Sequence, residues 1–244
     1  MKRFYFLLIG FAFFTCSQNQ KEAQPIVNAK TFEEKLSNAA ISIIDESIVY
    51  TPDYVSIKYP NGDVPAKTGV CSDVVIRAYR KLGIDLQKEV HEDMKANFSK
   101  YPTKWGLKKT DTNIDHRRVP NLEVFFERKG KKLPVSKNAS DYKTGEMVTW
   151  MIGGKLPHIG IVTQKKSSNG NPMIVHNVGG GQVAEDCLFS WEIVGHYKFM
   201  IEDFFGGYTF KYAKWNAATS SWDATQTKTI ANGTDDAFFN YFSF

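Results

Sequence analysis

From Phe32 through Leu36, Ala39, Ala40, Ile43 and Ile44, apolar residues recur three and four positions apart, the spacing that gathers side chains on one face of a helix. Thr31 and Glu34 precede that stripe with the spacing of a capping box, so an amphipathic helix is predicted over roughly 32–48. Pro52 to Gly69 is rich in Pro, Gly, Asn and Asp and reads as loop. A second helical stripe, Val74, Val75, Ala78 and Leu82, predicts a helix from about Val70 to Leu82, stopped by Gly83. The polar stretch from Lys100 to Val119 reads as a long loop. A third helix is predicted from Pro120 to Lys129, with proline early and Gly130 after its end.

The period then changes from helical to two. Glu146 to Met151, His158 to Gln164, Pro172 to His176 and Val194 to Met200 are short strand candidates, separated by glycine- and serine-rich turns that include Gly179-Gly-Gly181. Helices followed by an antiparallel sheet make an α+β layout. The last segment, 201–244, holds 12 aromatic residues in 44, against 14% in the whole chain, which argues against a disordered tail. Tyr208, Phe210 and Tyr212 alternate, so one or two extra strands on the main sheet are expected there; an aromatic platform for sugar rings is the alternative.

The N-terminus obeys a different rule. Lys2 and Arg3 precede an apolar run from Phe4 to Phe14, too short to span a bilayer and suited to an export signal. The run ends at Cys16, followed by the polar Ser17-Gln-Asn-Gln-Lys-Glu22, which resembles a lipoprotein signal with Cys16 as the lipidated residue. The expected organisation is a signal peptide over 1–15, a tether over 16–30, a hydrolase domain over 31–200 and the aromatic-rich β extension over 201–244. Composition is that of an ordinary globular protein, 42% hydrophobic and 23% charged. The net charge of +5 falls to +3 without Lys2 and Arg3, too small a surplus to indicate nucleic acid.

With Cys16 assigned to lipid, the folded body keeps Cys71 and Cys187, which an exported protein could join as a disulfide. Cys71 lies in the first turn of its helix, where free N–H groups and the helix dipole favour thiolate. A small buried thiol under a helix is the plainer explanation of such a position. Two histidines change the balance. His158 opens one predicted strand and His176 closes the next, so an antiparallel pairing brings both rings to one edge of the sheet. A helix-start cysteine beside a strand-end histidine, itself oriented by a third polar group, is the arrangement of thiol acyl transfer. On that reading Cys71 is the nucleophile, His158 its base and His176 the orienting group. The Cys71 thiol should then titrate at least about a unit below the usual 8.5. Cys187, with no imidazole motif near it in sequence, should be inert. No phosphate loop, dinucleotide fingerprint or paired-cysteine zinc motif occurs, and His91-Glu92 is followed by Lys95 where a zinc motif needs histidine, so neither cofactor nor metal is called for.

Gly69-Val-Cys-Ser-Asp73, Thr144-Gly-Glu-Met-Val148, His158-Ile-Gly-Ile-Val162 and Ile174-Val-His-Asn177 resemble, in order, the motifs of NlpC-type peptidases, papain-like enzymes that cut the peptide stems of bacterial cell wall. The resemblance implies a papain-like core and the same three roles for Cys71, His158 and His176. It also implies a tyrosine upstream of the cysteine to help hold the oxyanion, for which Tyr59 is the candidate, although the residue before the cysteine, usually Asp, is Val70 here. Over about 35–200 the chain resembles more closely the family of the domain of unknown function 1287, through Tyr59-Pro-Asn-Gly-Asp-Val-Pro65, Gly69 to Arg77, Ile114-Asp-His-Arg-Arg-Val-Pro-Asn121 and Val194-Gly-His-Tyr197. Within the third of these, Arg117 and Arg118 are candidates for binding a carboxylate or phosphate, with structural ion pairs in a loop as the alternative for His116-Arg117-Arg118. The expected substrate is an amide in the peptide stems of peptidoglycan, met by a lipoprotein anchored in a bacterial envelope. The alternatives are a Cys-His amidase or acyltransferase on another substrate, a non-catalytic wall-binding lipoprotein, and an immunity or scaffold protein with Cys71 and Cys187 joined.

Overall fold

The computed structural model describes residues 24–200 in full and the backbone of 209–216 and 221–229. Helix α1, Phe32–Ser42, begins at the predicted capping box: Thr31 accepts from the Glu34 N–H, while the Glu34 carboxylate accepts from the Thr31 N–H. It ends six residues before the predicted 48. Asp45 and Gln182 exchange two main-chain hydrogen bonds, and this tertiary bridge draws the chain out of the helix towards the loop that follows His176. Two short strands, β1 (Val49–Tyr50) and β2 (Thr68–Gly69), then pair in parallel and close the base of the 51–67 loop.

Helix α2, Cys71–Lys81, has the predicted position. Val74, Val75, Ala78 and Tyr79 are wholly buried along it, and burying each valine contributes about 1.5–3 kcal/mol. A further helix, α3 (Leu86–Ala96), is one that the hydrophobic stripes read above do not include. Its signal is short: Asp85 caps it by accepting from the Gln87 N–H, and Leu86, Val90 and Met94 recur four apart on its buried side. Inside the expected 100–119 loop, Asp115–Arg117 forms a single 3₁₀ turn that leads into α4, Val119–Lys129.

Eight of the remaining strands follow in order: β3 (Lys131–Lys132), β4 (Met147–Ile152), β5 (Leu156–Lys166), β6 (Pro172–His176), β7 (Val183–Glu185), β8 (Glu192–Lys198), β9 (Thr209–Asn216) and β10 (Ser221–Thr229). The first six form one antiparallel sheet in the order β3-β8-β4-β5-β6-β7. The α+β layout, helices packed on an antiparallel sheet, is as the sequence predicts. Strands β9 and β10 pair with each other and form their own two-stranded sheet. The expected aromatic strands exist in the extension, but among the described residues they are not hydrogen-bonded into the main sheet. Cys16 and the whole export segment lie outside the described residues.

Strand alternation divides the core in two. On the helix side, Ile159, Ile161 and Val175 pack with Cys71, Val74, Val75 and Leu36. On the other side, Trp150, Val162 and Ile174 pack with Tyr142, Cys187 and Leu188. The Gly179–Gly181 turn joins β6 to β7 as expected, and Gly181 has φ +89° where the chain passes Glu46; a Cβ there would lie 2.5 Å from the Glu46 backbone.

Candidate active site

Helix α2 opens without a side-chain cap at Val70; instead the Asp73 carboxylate accepts from the Val70 N–H at 2.7 Å. A carboxylate in the first turn disfavours a neighbouring thiolate, and here a second charge offsets it. Arg117 makes a two-pronged pair with Asp73, 2.9 Å from Nε and 3.0 Å from Nη2, with both side chains out of water. Nη1 of the same guanidinium donates to the Asp53 carbonyl, and the Ser72 hydroxyl donates to the Arg117 carbonyl at 2.7 Å. Arg117 therefore holds the start of α2 and the loop after Tyr50 together. It is a buried structural cation and not a ligand-binding arginine, because its polar hydrogens are turned inward to Asp73 and the loop carbonyls. Arg118 stacks on Trp105, its guanidinium carbon 4.1 Å from the ring centroid. His116 is buried, and burial pushes its imidazole down to about 3.

The sequence motif around Tyr59 also supports α2. Asn61 and Gly62 N–H groups donate to Asp85 and Gln87, and Asp63 pairs with Arg77 and Arg80 of the helix. Tyr59 itself is 37% exposed and meets the edge of His91, with ring centroids 5.2 Å apart. The tyrosine beside Cys71 is Tyr50. Its register partner in the parallel pair is Gly69, two residues before the cysteine. Burial, then charge on Cys71 and Asp73, pushes the Tyr50 phenol up to about 12, so the hydroxyl stays protonated next to the sulfur. The place expected of Tyr59 is thus held by Tyr50. Its sequence signal was slight: the β-prone Ile48-Val-Tyr50 run before a polar loop.

Cys71 is 4% exposed. Burial pushes its thiol up to about 11, against the downward pull of N–H groups from Ile159, Ser72 and Cys71 itself. The expected acidic thiol is therefore not the resting state: desolvation outweighs the helix-start field when no cation faces the sulfur. Among the described residues no hydrogen bond joins Cys71 to His158. The sulfur instead lies against the amide of Ile159, the residue immediately after His158. A second tie comes from the next strand, where Asn177, following His176, donates from Nδ2 to the Gly69 carbonyl at 3.4 Å.

The histidines converge as the pairing of β5 with β6 requires. His158 Nε2 lies 2.8 Å from His176 Nδ1, and His176 Nε2 lies 2.9 Å from Glu185 Oε2 on β7. Trp150, the register partner of His158, and Trp191 wall the His158 ring, with centroids 5.7 and 5.5 Å away. Burial pushes His158 down to about 3, and the neighbouring His176 adds to that. Burial also lowers His176, opposed by Glu185. Both rings are held neutral at pH 7. Cys187 is buried too, but its sulfur lies 3.5 Å from His176 Nε2, so the thiol without an imidazole motif in sequence acquires one in space. Both cysteines are free. They pack into the cores on opposite sides of the sheet, which excludes the disulfide alternative for this conformation.

The family model described as "Domain of unknown function (DUF1287)" matches residues 37–199. The chain belongs to the DUF1287 family. A relative, the "Uncharacterized protein YijF" of Escherichia coli (strain K12), is 51% identical over 167 residues, 68% of this chain and 82% of the relative. Among solved structures, NlpC1 from Trichomonas vaginalis aligns with a TM-score of 0.38 and 13% identity, over 72% of this chain and 46% of that chain; this chain spans less than half of its length. The DUF1287 match covers all of the residues assembled above, from Tyr50 to Cys187. Within it the Tyr59–Pro65 and Ile114–Asn121 segments brace α2, while the segments His158–Val162 and Ile174–Asn177 carry the imidazoles. Val194-Gly-His-Tyr197 braces the sheet itself. His196 is held between Glu146 Oε2 at 2.7 Å and the Pro134 carbonyl at 3.1 Å, and a Cβ on Gly195 would lie 2.5 Å from the Thr149 hydroxyl.

Proposed function

We propose that the protein is an exported cysteine hydrolase with a papain-like core, acting on an amide of peptidoglycan stem peptides. The observation that carries this reading is the approach of the α2 start to the strand residues next to the paired histidines, the Ile159 amide lying on Cys71 and Asn177 on Gly69. His158 binds His176 through Nε2, which leaves Nδ1 without a hydrogen bond among the described residues. That nitrogen is the base. It takes the Cys71 proton, the sulfur attacks the amide carbonyl, and the leaving amine takes the proton back; water then repeats the sequence in reverse to release the acid. The oxyanion is held by N–H groups of the first turn of α2 and by the Tyr50 hydroxyl. In the resting site thiol and imidazole are both neutral, so the proton moves as the nucleophile attacks, as it does in a serine hydrolase.

The polymer is assigned through the resemblance of the four motifs to wall peptidases and through the export signal. Anchorage through lipid on Cys16 belongs to the same proposal: detergent partitioning should place the wild type in the detergent phase and Cys16→Ser in the aqueous phase. Mass spectrometry of purified muropeptides incubated with the protein should show a stem-peptide mass lost, and Cys71→Ala should abolish that change. Unchanged muropeptides with folded wild-type protein would overturn the hydrolase reading. Cleavage that survives Cys71→Ala would overturn the assignment of the nucleophile.

A further inference from the structure

A base that must accept a proton at His158 Nδ1 needs its own hydrogen at Nε2. The ring cannot choose that tautomer unaided, and the nearest partner, His176, is equally ambivalent, since a neutral imidazole donates from one nitrogen and accepts at the other. With only the two rings, the 2.8 Å bond between them can run in either direction. In the wrong direction His158 would present an N–H to Cys71 and could take no proton.

Two groups approach the far nitrogen of His176, and they make opposite demands. Glu185 Oε2 lies at 2.9 Å, and a carboxylate only accepts. Cys187 Sγ lies at 3.5 Å, and its S–H as a donor would require a bare His176 Nε2. The hydrogen bond to an ionised group is the stronger. Glu185 sits on the three-residue edge strand β7 with its side chain 52% exposed, so it reaches the buried ring from the solvent side. His176 has register partner Val183 on that strand, and Glu185 is two residues further on the same face.

We propose that Glu185 is a positioning residue that sets the tautomers of both histidines. Its carboxylate holds the hydrogen on His176 Nε2; His176 Nδ1 then accepts from His158 Nε2, and His158 Nδ1 is left with its lone pair for the Cys71 thiol. The relay moves no proton to Glu185; it fixes which nitrogen is basic two rings away. The role of the last step rests on the hydrolase reading above, but the tautomers do not.

The test uses the full chain with ¹⁵N-labelled histidine and long-range ¹⁵N–¹H correlation spectra at pH 7.5, alongside muropeptide hydrolysis. The wild type should show both His158 and His176 as Nε2–H tautomers. Glu185→Ala should shift His158 to a mixture or to Nδ1–H and reduce kcat about tenfold with KM unchanged. Glu185→Gln, whose side-chain carbonyl can accept the same bond, should restore the Nε2–H tautomer and most of the rate. Retention of the wild-type tautomers in Glu185→Ala would overturn the proposal even if hydrolysis is found. So would Glu185→Gln behaving as Glu185→Ala does. A tautomer shift without any hydrolysis in the wild type would uphold the role of Glu185 and overturn the enzyme reading alone.

Discussion

The two free cysteines of the described residues, Cys71 and Cys187, are equally buried, each 4% exposed, yet they sit in different electrostatic surroundings on opposite sides of one sheet. On the helix side, three N–H groups converge on Cys71 and a fully buried Arg117 offsets the Asp73 charge beside it. On the far side, Cys187 is pushed up to about 12 by burial and by the carboxylates of Glu185 and Asp186. Cys71 stands at about 11. Burial raises both thiols, and it is the surrounding charges and N–H groups that separate them. Proximity to an imidazole does not identify the nucleophile, because Cys187 has the closer one. What marks Cys71 is the set of N–H groups at the start of α2 that pull against its burial, together with a protonated phenol at hand.

The sharpest way to break that contrast is to remove the cation. Arg117→Met leaves the Asp73 carboxyl without its partner inside the protein, a loss of roughly 3–5 kcal/mol, read as a lower midpoint in chemical denaturation. Adding Asp73→Asn should recover part of it. On the opposite side Glu185→Gln, which keeps an acceptor for the neutral His176 ring at a half-exposed side chain, should cost under about 1 kcal/mol. Equal losses would mean that the buried ion pair and the half-exposed hydrogen bond do not differ as their burial implies.

A smaller effect separates the two tyrosines. Tyr50→Phe should lower kcat for muropeptide hydrolysis by about 100-fold, the scale of one lost oxyanion donor, while Tyr59→Phe should stay within about twofold. The reverse order would return the role to Tyr59 and detach the oxyanion site from the β1–β2 pair.

The finest distinction lies between the thiols themselves. A thiol near 11 is ionised at pH 8.5 more than about 100-fold less than one at the ordinary value near 8.5. Iodoacetamide should therefore modify native Cys71 far more slowly than the denatured chain, and Cys187 about tenfold more slowly again. Both rates should rise tenfold per pH unit until the thiols ionise. Rapid labelling of Cys71 at pH 6.5 would mean that the resting site holds a thiolate–imidazolium pair, and that burial does not govern it. The same neutrality has a consequence for stability. His116 and His158 protonate near 3 in the folded state and near 6.5 unfolded. Between those values the unfolded chain binds more protons, so stability falls as pH drops from 6.5 towards 3. Asp115, raised to about 6 by burial, acts in the opposite sense over about 4 to 6. His91 and His176, lowered by burial as well, act with those two histidines, as do the lowered carboxyls of Asp93 and Asp186. Glu89 and Glu123, raised by burial, act with Asp115; the balance is net acid sensitivity.

Local signals were written plainly in this chain. Thr31 and Glu34 cap α1, the Val74–Ala78 stripe lays down α2 with Cys71 in its first turn, and alternation around His158 and His176 gives two antiparallel strands whose ends bring the rings together. These features depend on neighbours within a few residues, or on a pairing with only one sensible register, and sequence determines them. Other features depended on partners far along the chain. The bridge between Asp45 and Gln182 ended α1 early, Gly69 placed Tyr50 and not Tyr59 beside the sulfur, and Asp73 turned Arg117 from a candidate ligand-binding group into a buried brace. The protonation of the site was decided in the same way. A helix start argues for thiolate, but only the packed sheet, helices and tryptophans determine how much water is removed, and that removal outweighs the local dipole at Cys71 and His158 alike.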